Sequence, residues 1–526
     1  MYAYIDGKSD ISSECVIDAA VKNLAQALLQ TYQMFINGEW VPAQTGETNA
    51  VVNPATSEII TNVPKGGPED AKRAVDAARD AFDKGRWPRM SPGERASVIY
   101  RLADLIEQNI DQLALLESVN QGKSLKLSRD SDLPFAVDNI RFFAGAARCL
   151  EGRASTEYNG VATSIIRREP KGVVGAITPW NYPFLMLAWK AVPPLAVGNT
   201  VVIKPASVTP LTTLEFAKLT EKAGIPKGVV NVITGPGATM GEALVTHPDV
   251  DLVGLTGDTL TGRRIMQLAS GTVKKVQLEL GGKAPYVVFD DANLDAAAEG
   301  AMYGYVNAGQ DCTAVTRLYV QEGVYQKFVN MVVERIKKIK LGDPRSRETD
   351  MGPLVSQAQR LKVEEMVASG LKEGAKLLIG GRRPNMPSPL NKGFYYEPTL
   401  FSDARQDMRI VQEEIFGPVL TALPFKTVDE AIEKSNDVIY GLSSSVWTKD
   451  IFKAMKVAGA LRFGCVWVNE HGPLVSEMPH GGYKQSGFGK DLSMYTFDDY
   501  TEIKHVYIDL MNENRKPWHY QLYGPQ

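Results

Sequence analysis

Cysteine and histidine are scarce in this chain, with four and five copies among 526 residues. Cys15, Cys149, Cys312 and Cys465 form no C-x-x-C pair and no metal-ligand spacing, and four thiols in this length make no disulfide framework. The histidines stand singly, so no metal site is expected. No apolar run reaches the roughly 18 residues of a membrane span. The segment from Met1 to Glu14 is polar and acidic, without the apolar stretch of a signal peptide. Charge of one sign is lacking too: 58 basic against 61 acidic residues leave a net charge of −3, and no basic run exceeds a pair. That balance offers no electrostatic footprint for nucleic acid or membrane. The expectation is a reduced, cytoplasmic compartment.

What remains has an ordinary globular composition, 44% hydrophobic and 23% charged. The length suits roughly two to four domains of about 100–200 residues each. Ile17, Val21, Leu24 and Leu28 fall at helical spacing and predict an amphipathic N-terminal helix. Asn37-Gly38 between apolar residues predicts a hairpin. Ser91-Pro92-Gly93-Glu94 reads as a capping box that opens a long helix. From about residue 171, short apolar strands at Val173–Ile177, Thr200–Ile203, Val229–Ile233 and Leu252–Leu255 alternate with helical stretches. Such alternation predicts an α/β fold with helices on both faces of a parallel sheet. A second alternating region runs from Lys274 to about 483. Two strands, Thr163–Arg168 and Ile503–Leu510, stand outside the alternation without an obvious partner and are expected to serve subunit contacts. Residues 511–526 read as a polar and aromatic tail.

Ligands on parallel sheets bind beyond the carboxyl ends of the strands, so the chemistry is sought there. Cysteine is ordinarily a small buried hydrophobe. Cys312, however, lies in the polar loop Asn307-Ala-Gly-Gln-Asp-Cys-Thr313, where a reactive thiol belongs. Glu279, between two leucines and before Gly281-Gly282, is either a salt-bridged edge residue or a desolvated carboxylate with a raised pKa, suited to general-base work. Asn181, in Pro179-Trp180-Asn181-Tyr182-Pro183, either satisfies a turn or aims its amide at a developing oxyanion. Two glycine patterns compete for phosphates. Gly235-Pro-Gly237-Ala-Thr-Met-Gly241 departs from G-x-G-x-x-G by one residue, and Gly257-Asp-Thr-Leu-Thr-Gly262 opens a helix. Lys204, at a strand end, is either solvated or holds an adenosine ribose or phosphate.

Taken in order, Pro-Trp-Asn, Lys-Pro, Gly-x-x-x-x-Gly, Glu-Leu-Gly-Gly, Gly-Gln-x-Cys and Glu-Ile-Phe-Gly-Pro resemble the aldehyde dehydrogenase superfamily from about residue 34 to 510. The resemblance implies a Rossmann-like cofactor domain (1–151 and 171–281) and a second α/β catalytic domain (282–483). It also implies a small β oligomerisation element (152–170 and 499–510) and a homodimer or homotetramer. Cys312 would be the nucleophile that forms a thioester, Asn181 with the Cys312 N–H the oxyanion hole, and Glu279 the base that activates water. Lys190 and Asp491 would form a proton relay. An NAD or NADP cofactor would meet Thr178, Pro179, Trp180, Lys204, Ser207, Gly237, Gly241, Thr256, Gly257, Asp258, Gly262, Leu280, Glu414 and Phe416. Coenzyme-A-acylating relatives do not rely on a glutamate at the position of Glu279, so hydrolysis is expected.

Two departures stand out. NAD-preferring members usually carry Lys-Pro-x-Glu, whereas this chain has Lys204-Pro-Ala-Ser207. Loss of that carboxylate removes repulsion against a 2′-phosphate, so NADP is expected to be tolerated. Asp258 stands where the family usually has serine and is expected to weaken phosphate binding unless it turns outward. Tyr182, Met186, Trp189, Leu474 and His480 match substrate-tunnel positions, with Asp132 at the tunnel mouth and Asp311 beside the nucleophile. Acids among aromatic faces suit an ammonium group. The strings around Arg141–Leu150, Asn307–Thr313 and Val475–Gly482 are most similar to 4-aminobutyraldehyde dehydrogenases. The implied substrate is a cationic ω-aminoaldehyde, against a broad aliphatic and aromatic specificity. A non-catalytic homologue would have lost Cys312, Glu279, Asn181 or Lys204.

Overall fold

The computed structural model describes residues 32–151 and 156–524, so the predicted helix around Ile17–Leu28 and Cys15 lie outside the described residues. The central strands from 171 onward are buried along most of their length, and the chain sorts them into two mainly parallel sheets. The first has eight strands in the order Gly487–Phe488, Lys275–Glu279, Leu252–Thr256, Val173–Ile177, Thr200–Lys204, Val230–Val232, Met34–Ile36 and Glu39–Val41. The five central strands are parallel. The chain starts in the middle at Val173–Ile177, runs outward on one side and returns to fill the other. That reversal puts a topological switch point beside Thr178 and Gly257, where such sheets open a ligand crevice.

Alternation along these strands divides two cores. Val174, Ala176, Val201 and Ile203 face the helices Pro92–Gln108, Leu133–Ala146, Pro183–Ala196 and Leu211–Ala223. Val173, Val202 and Val253 face the helix Pro68–Asp83 and the helix Thr259–Ala269. The capping box forms as expected, with Ser91 Oγ accepting from the Glu94 N–H and Glu94 accepting from the Ser91 N–H at 2.7 Å. Asn37 and Gly38 take positive φ of 54° and 75° and close the hairpin between Met34–Ile36 and Glu39–Val41.

The second sheet has seven strands, in the order Lys376–Ile379, Thr399–Ser402, Val419–Phe425, Val315–Gln321, Ala284–Val288, Ser443–Trp447 and Cys465–Val468. All but the first are parallel to their neighbours. One expectation needs correction. Lys275–Glu279 pairs with Leu252–Thr256 and belongs to the first sheet, so the second α/β region starts beyond Glu279 rather than at Lys274. The two strands without an obvious partner in the alternation pair with each other: Ala162–Pro170 and Thr501–Asp509 form an antiparallel ribbon in nine-residue register. Neither shows a partner in the local alternation because they are more than 330 residues apart, and pairing of that range leaves no periodic trace. Among the described residues, no helix is long and apolar enough to cross a membrane.

Candidate active site

Cys312 follows a short helical turn, Ala301–Gly309, whose last residues leave helical geometry. Asn307, Ala308 and Gly309 all have positive φ, 50°, 55° and 69°. Three residues in that region form a sharp turn that needs outside support. Asn307 Nδ2 donates to the Asn181 carbonyl at 2.9 Å, and Gln310 Nε2 donates to the Asn307 carbonyl at 3.0 Å. Gln310 Oε1 accepts the Val355 N–H at 2.8 Å. The loop before Cys312 is thereby fastened to the loop after Val173–Ile177, which carries Asn181.

Glu279 ends its strand, and the two glycines after Leu280 explain themselves by contact. A Cβ on Gly281 would lie 2.3 Å from Glu414 Oε2, and one on Gly282 would lie 2.2 Å from the Cys312 carbonyl oxygen. Only glycine lets Glu414 and the Cys312 loop approach this closely. The Gly282 N–H donates to Glu414 Oε1 at 2.8 Å, yet burial pushes the Glu414 carboxyl up to about 7.

Two cavities meet at Cys312. One, of about 300 Å³, is walled by Phe135, Tyr182, Met186, Trp189, Tyr303 and Leu474 and reaches His480. The other, of about 360 Å³, runs past Asn181, Glu279, Glu414 and Phe416 to Lys204 and Gly237. Ligand atoms of Cys312, Glu279 and His480 lie within 4.8 Å of one another. Burial, with Glu279 and Asp311 nearby, pushes the Cys312 thiol well above its usual range, so it rests protonated.

The sequence profile of the aldehyde dehydrogenase family matches residues 40–506. The chain belongs to that family. It is 48% identical over 485 residues to a betaine aldehyde dehydrogenase of Bacillus subtilis, covering 92% of this chain and 98% of the relative. It is 43% identical to human aldehyde dehydrogenase 1A1, covering 93% and 97%. Among solved structures, betaine aldehyde dehydrogenase of Staphylococcus aureus in complex with NAD+ superposes with a TM-score of 0.92 at 40% identity, covering 95% and 99%. An NAD-dependent aldehyde dehydrogenase of Sinorhizobium meliloti gives 0.91 at 41%, covering 94% and 97%. This aldehyde dehydrogenase is therefore an oxidoreductase acting on aldehydes through the family's α/β fold.

All seven expected substrate residues, Asp132, Tyr182, Met186, Trp189, Asp311, Leu474 and His480, line the aromatic tunnel. Their electrostatics differ from expectation. Asp132 is not a free acid at a mouth: it is 5% exposed and accepts from Lys123 Nζ at 2.6 Å. Lys123 also meets Glu117 at 2.9 Å and sits 4.8 Å over the Tyr182 ring. A buried carboxylate without a counter-charge would be costly, and Lys123 meets that need. Burial holds Asp132 up at about 6 against the pull of Lys123. Burial likewise opposes the Lys123 charge, but the two carboxylates more than offset it, so its pKa is raised and it stays protonated. Asp311 differs. Its hydrogen bonds come from neutral donors: Tyr182 Oη at 2.8 Å, Tyr303 Oη at 3.3 Å, and the Thr313 N–H and hydroxyl at 2.7 Å. Two carboxylates therefore line the tunnel, Asp132 and Asp311, and only Asp132 is answered by an ammonium, that of Lys123 behind the wall.

In the second cavity the structure brings together Thr178, Pro179, Trp180, Lys204, Gly237, Thr256, Gly257, Asp258, Glu414 and Phe416. Trp180 and Phe416 meet edge to face at 5.2 Å. Four expected cofactor residues stand outside its lining. Gly241 borders a neighbouring pocket with Lys204. Gly262 serves packing, since a Cβ there would sit 2.5 Å from Leu280 Cδ1, and Leu280 is buried against it. Ser207 turns its hydroxyl to the Gly235 carbonyl at 2.8 Å. Asp258 is exposed at the lip and caps the helix Thr259–Ala269, accepting from the Thr261 N–H at 2.9 Å and the Thr261 hydroxyl at 2.7 Å. Lys190 and Asp491 line neither cavity. They form a fully buried ion pair at 2.8 Å, joined by Gln277, and the Asp491 backbone exchanges two 2.8 Å hydrogen bonds with that of His480.

Sequence reasoning missed Lys123, Tyr303 and His471. His471 follows the strand Cys465–Val468, so the strand-end rule could have found it. Burial pushes its imidazole down to about 4. As a neutral ring it donates from Nε2 to the Thr313 carbonyl at 2.7 Å and accepts from Ser445 at Nδ1, 3.1 Å away. It thereby braces the residue after the nucleophile.

Proposed function

We propose that this enzyme oxidises a cationic ω-aminoaldehyde, such as 4-aminobutyraldehyde, to its carboxylic acid with NAD or NADP. The observation that carries the reading is Asp311, a buried carboxylate one residue from Cys312 that neutral donors alone hold, among aromatic faces. A substrate ammonium entering the tunnel would meet that charge. Relatives named for betaine aldehyde, itself a cation, support the class.

As the Cys312 S–H bond breaks and its proton leaves to water, Sγ attacks the aldehyde carbon, and the carbonyl oxygen becomes an oxyanion facing the Asn181 amide and the Cys312 N–H. One such donor contributes about 3–4 kcal/mol to the transition state. A nicotinamide dinucleotide bound in the second cavity would supply the oxidising step by accepting hydride from the carbon on Cys312. Glu279 then takes a proton from water, and the water oxygen displaces Cys312 from the acyl group. Lys190 and Asp491, which touch neither cavity, hold the His480 segment in place rather than relay protons directly.

The second cavity suits a dinucleotide. The buried Thr178 and Thr256 hydroxyls along it have no hydrogen-bond partner. Glu414 would hold the nicotinamide ribose, with Phe416 beside the ring. Lys204 would hold the adenosine ribose. It is buried, donates to the carbonyl of the adjacent Pro205 at 2.7 Å and is pushed by burial down to about 8. With Ser207 in place of a glutamate, a 2′-phosphate would meet Lys204 and no carboxylate at position 207, which supports use of NADP.

The ribbon Ala162–Pro170 with Thr501–Asp509 leaves Ile503, Tyr507 and Ile508 exposed, which supports a homodimer or homotetramer built across it. The test of function is steady-state turnover of 4-aminobutyraldehyde, betaine aldehyde and an uncharged aldehyde of similar length, under NAD and under NADP. The proposal requires a clear kcat/KM advantage for 4-aminobutyraldehyde. Preference for betaine aldehyde would move the substrate within the cationic class, and equal turnover of all three would leave a general aldehyde dehydrogenase.

A further inference from the structure

Glu279 and His480 are unusual among the buried polar side chains. They are 2% and 1% exposed, and both carboxylate oxygens and both ring nitrogens lack a hydrogen-bond partner. The approach of His480 Nε2 to Glu279 Oε1, 3.5 Å, is too long for either to satisfy the other. Buried polar atoms in folded proteins are nearly always paired, so an unpartnered Glu279 oxygen and an unpartnered His480 ring nitrogen brought to one point call for a ligand. Cys312 Sγ faces the same point, and the three ligand atoms lie within 4.8 Å of one another. A thiol, an imidazole and a carboxylate are the ligand types of a borderline-soft divalent cation.

We propose that Glu279, Cys312 and His480 form a reversible inhibitory site for Zn²⁺, with the fourth position open to water from the tunnel. Bonds of about 2.3 Å to sulfur and about 2.0–2.2 Å to nitrogen and oxygen require only a small inward swing of the three side chains. On binding, the Cys312 S–H bond breaks, a sulfur–zinc bond forms and one proton leaves to solvent, with no change of oxidation state. The His480 backbone is fixed by its two hydrogen bonds to Asp491, so only its side chain need move to reach the ion. Three protein ligands with one open position would ordinarily describe a catalytic zinc site. Here the metal would occupy the thiol that the aldehyde needs. No spacing rule reveals the site, because its ligands come from three separate segments. The consequence for turnover rests on the reading of Cys312 as nucleophile, whereas binding does not.

The test is competition between the purified enzyme and a chromogenic chelator for Zn²⁺, followed by the absorption spectrum with Co²⁺ in its place. The intact enzyme should take one Zn²⁺ per chain and show a thiolate-to-cobalt charge-transfer band. Cys312→Ser should abolish that band, and Cys312→Ser and His480→Phe should each weaken Zn²⁺ by more than the about 10–100-fold that outer-sphere partners carry. Zn²⁺ should also protect Cys312 from iodoacetamide until EDTA is added. Absence of one-per-chain binding, absence of the cobalt band in the unaltered enzyme, or equal affinity in both variants would overturn the proposal. A Zn²⁺-binding enzyme inactive toward every aldehyde would uphold the site while refuting the function.

Discussion

The substrate tunnel and the cofactor cavity share Cys312 but are built on opposite plans. In the tunnel the acids are satisfied before any substrate arrives: Asp132 by Lys123, and Asp311 by two tyrosines and Thr313. Along the cofactor cavity the buried Thr178 and Thr256 hydroxyls lack partners, and Lys204 Nζ donates to the carbonyl of the adjacent Pro205. A wall whose acids are already satisfied fixes those charges at set positions and so selects among ligands. A wall of unmet donors and glycine backbone gains its hydrogen bonds from the ligand. On this account, changes in the tunnel alter which aldehyde reacts, and changes in the cavity alter how tightly the cofactor is held.

The largest effect is expected at the junction. Glu279→Gln should lower steady-state turnover by about 10²–10⁴-fold. A first-turnover burst of reduced nicotinamide should survive, because hydrolysis fails while acylation proceeds; rapid-mixing absorbance would detect it. Asn181→Ala should reduce kcat by about 10²–10³-fold with little change in cofactor affinity, measurable by steady-state kinetics. Within the tunnel, Lys123→Met leaves Glu117 and Asp132 buried without their cation and should cost about 3–5 kcal/mol of stability. Thermal unfolding should show it as a marked drop in Tm. In the cofactor cavity, Ser207→Glu should shift the NADP/NAD ratio of kcat/KM toward NAD by about tenfold, equivalent to about 1.4 kcal/mol. If Ser207→Glu instead changed the aldehyde preference, the division between the two cavities would fail.

Legibility followed locality. The two parallel sheets, the Asn37-Gly38 hairpin and the Ser91 cap arise from short-range pattern and turn chemistry, and each is readable in the chain. The pairing of Ala162–Pro170 with Thr501–Asp509 is not, since nothing near either strand marks the other. The same holds for the site. Cys312, Glu279 and Asn181 stand out through family motifs, and the strand-end rule would have added His471. Lys123 was invisible because its meaning lies in where Glu117 and Asp132 meet it in space. Asp258 stands out as a departure from the family motif, but that its carboxylate is engaged by Thr261 at the helix N-terminus is visible only in space.

The central claim is that the tunnel's buried acids choose a cation. The direct test is the ratio of kcat/KM for 4-aminobutyraldehyde to that for an uncharged aldehyde, measured from pH 5 to pH 8 in the unaltered enzyme and in Asp311→Asn. Asp132 titrates at about 6, so the tunnel is most negative above that pH and loses one charge as pH falls through it. The account predicts a ratio well above one at pH 7–8 that declines below about pH 6, and a loss of about tenfold or more in Asp311→Asn at pH 7–8. A ratio near one throughout, unchanged by Asp311→Asn, would contradict it.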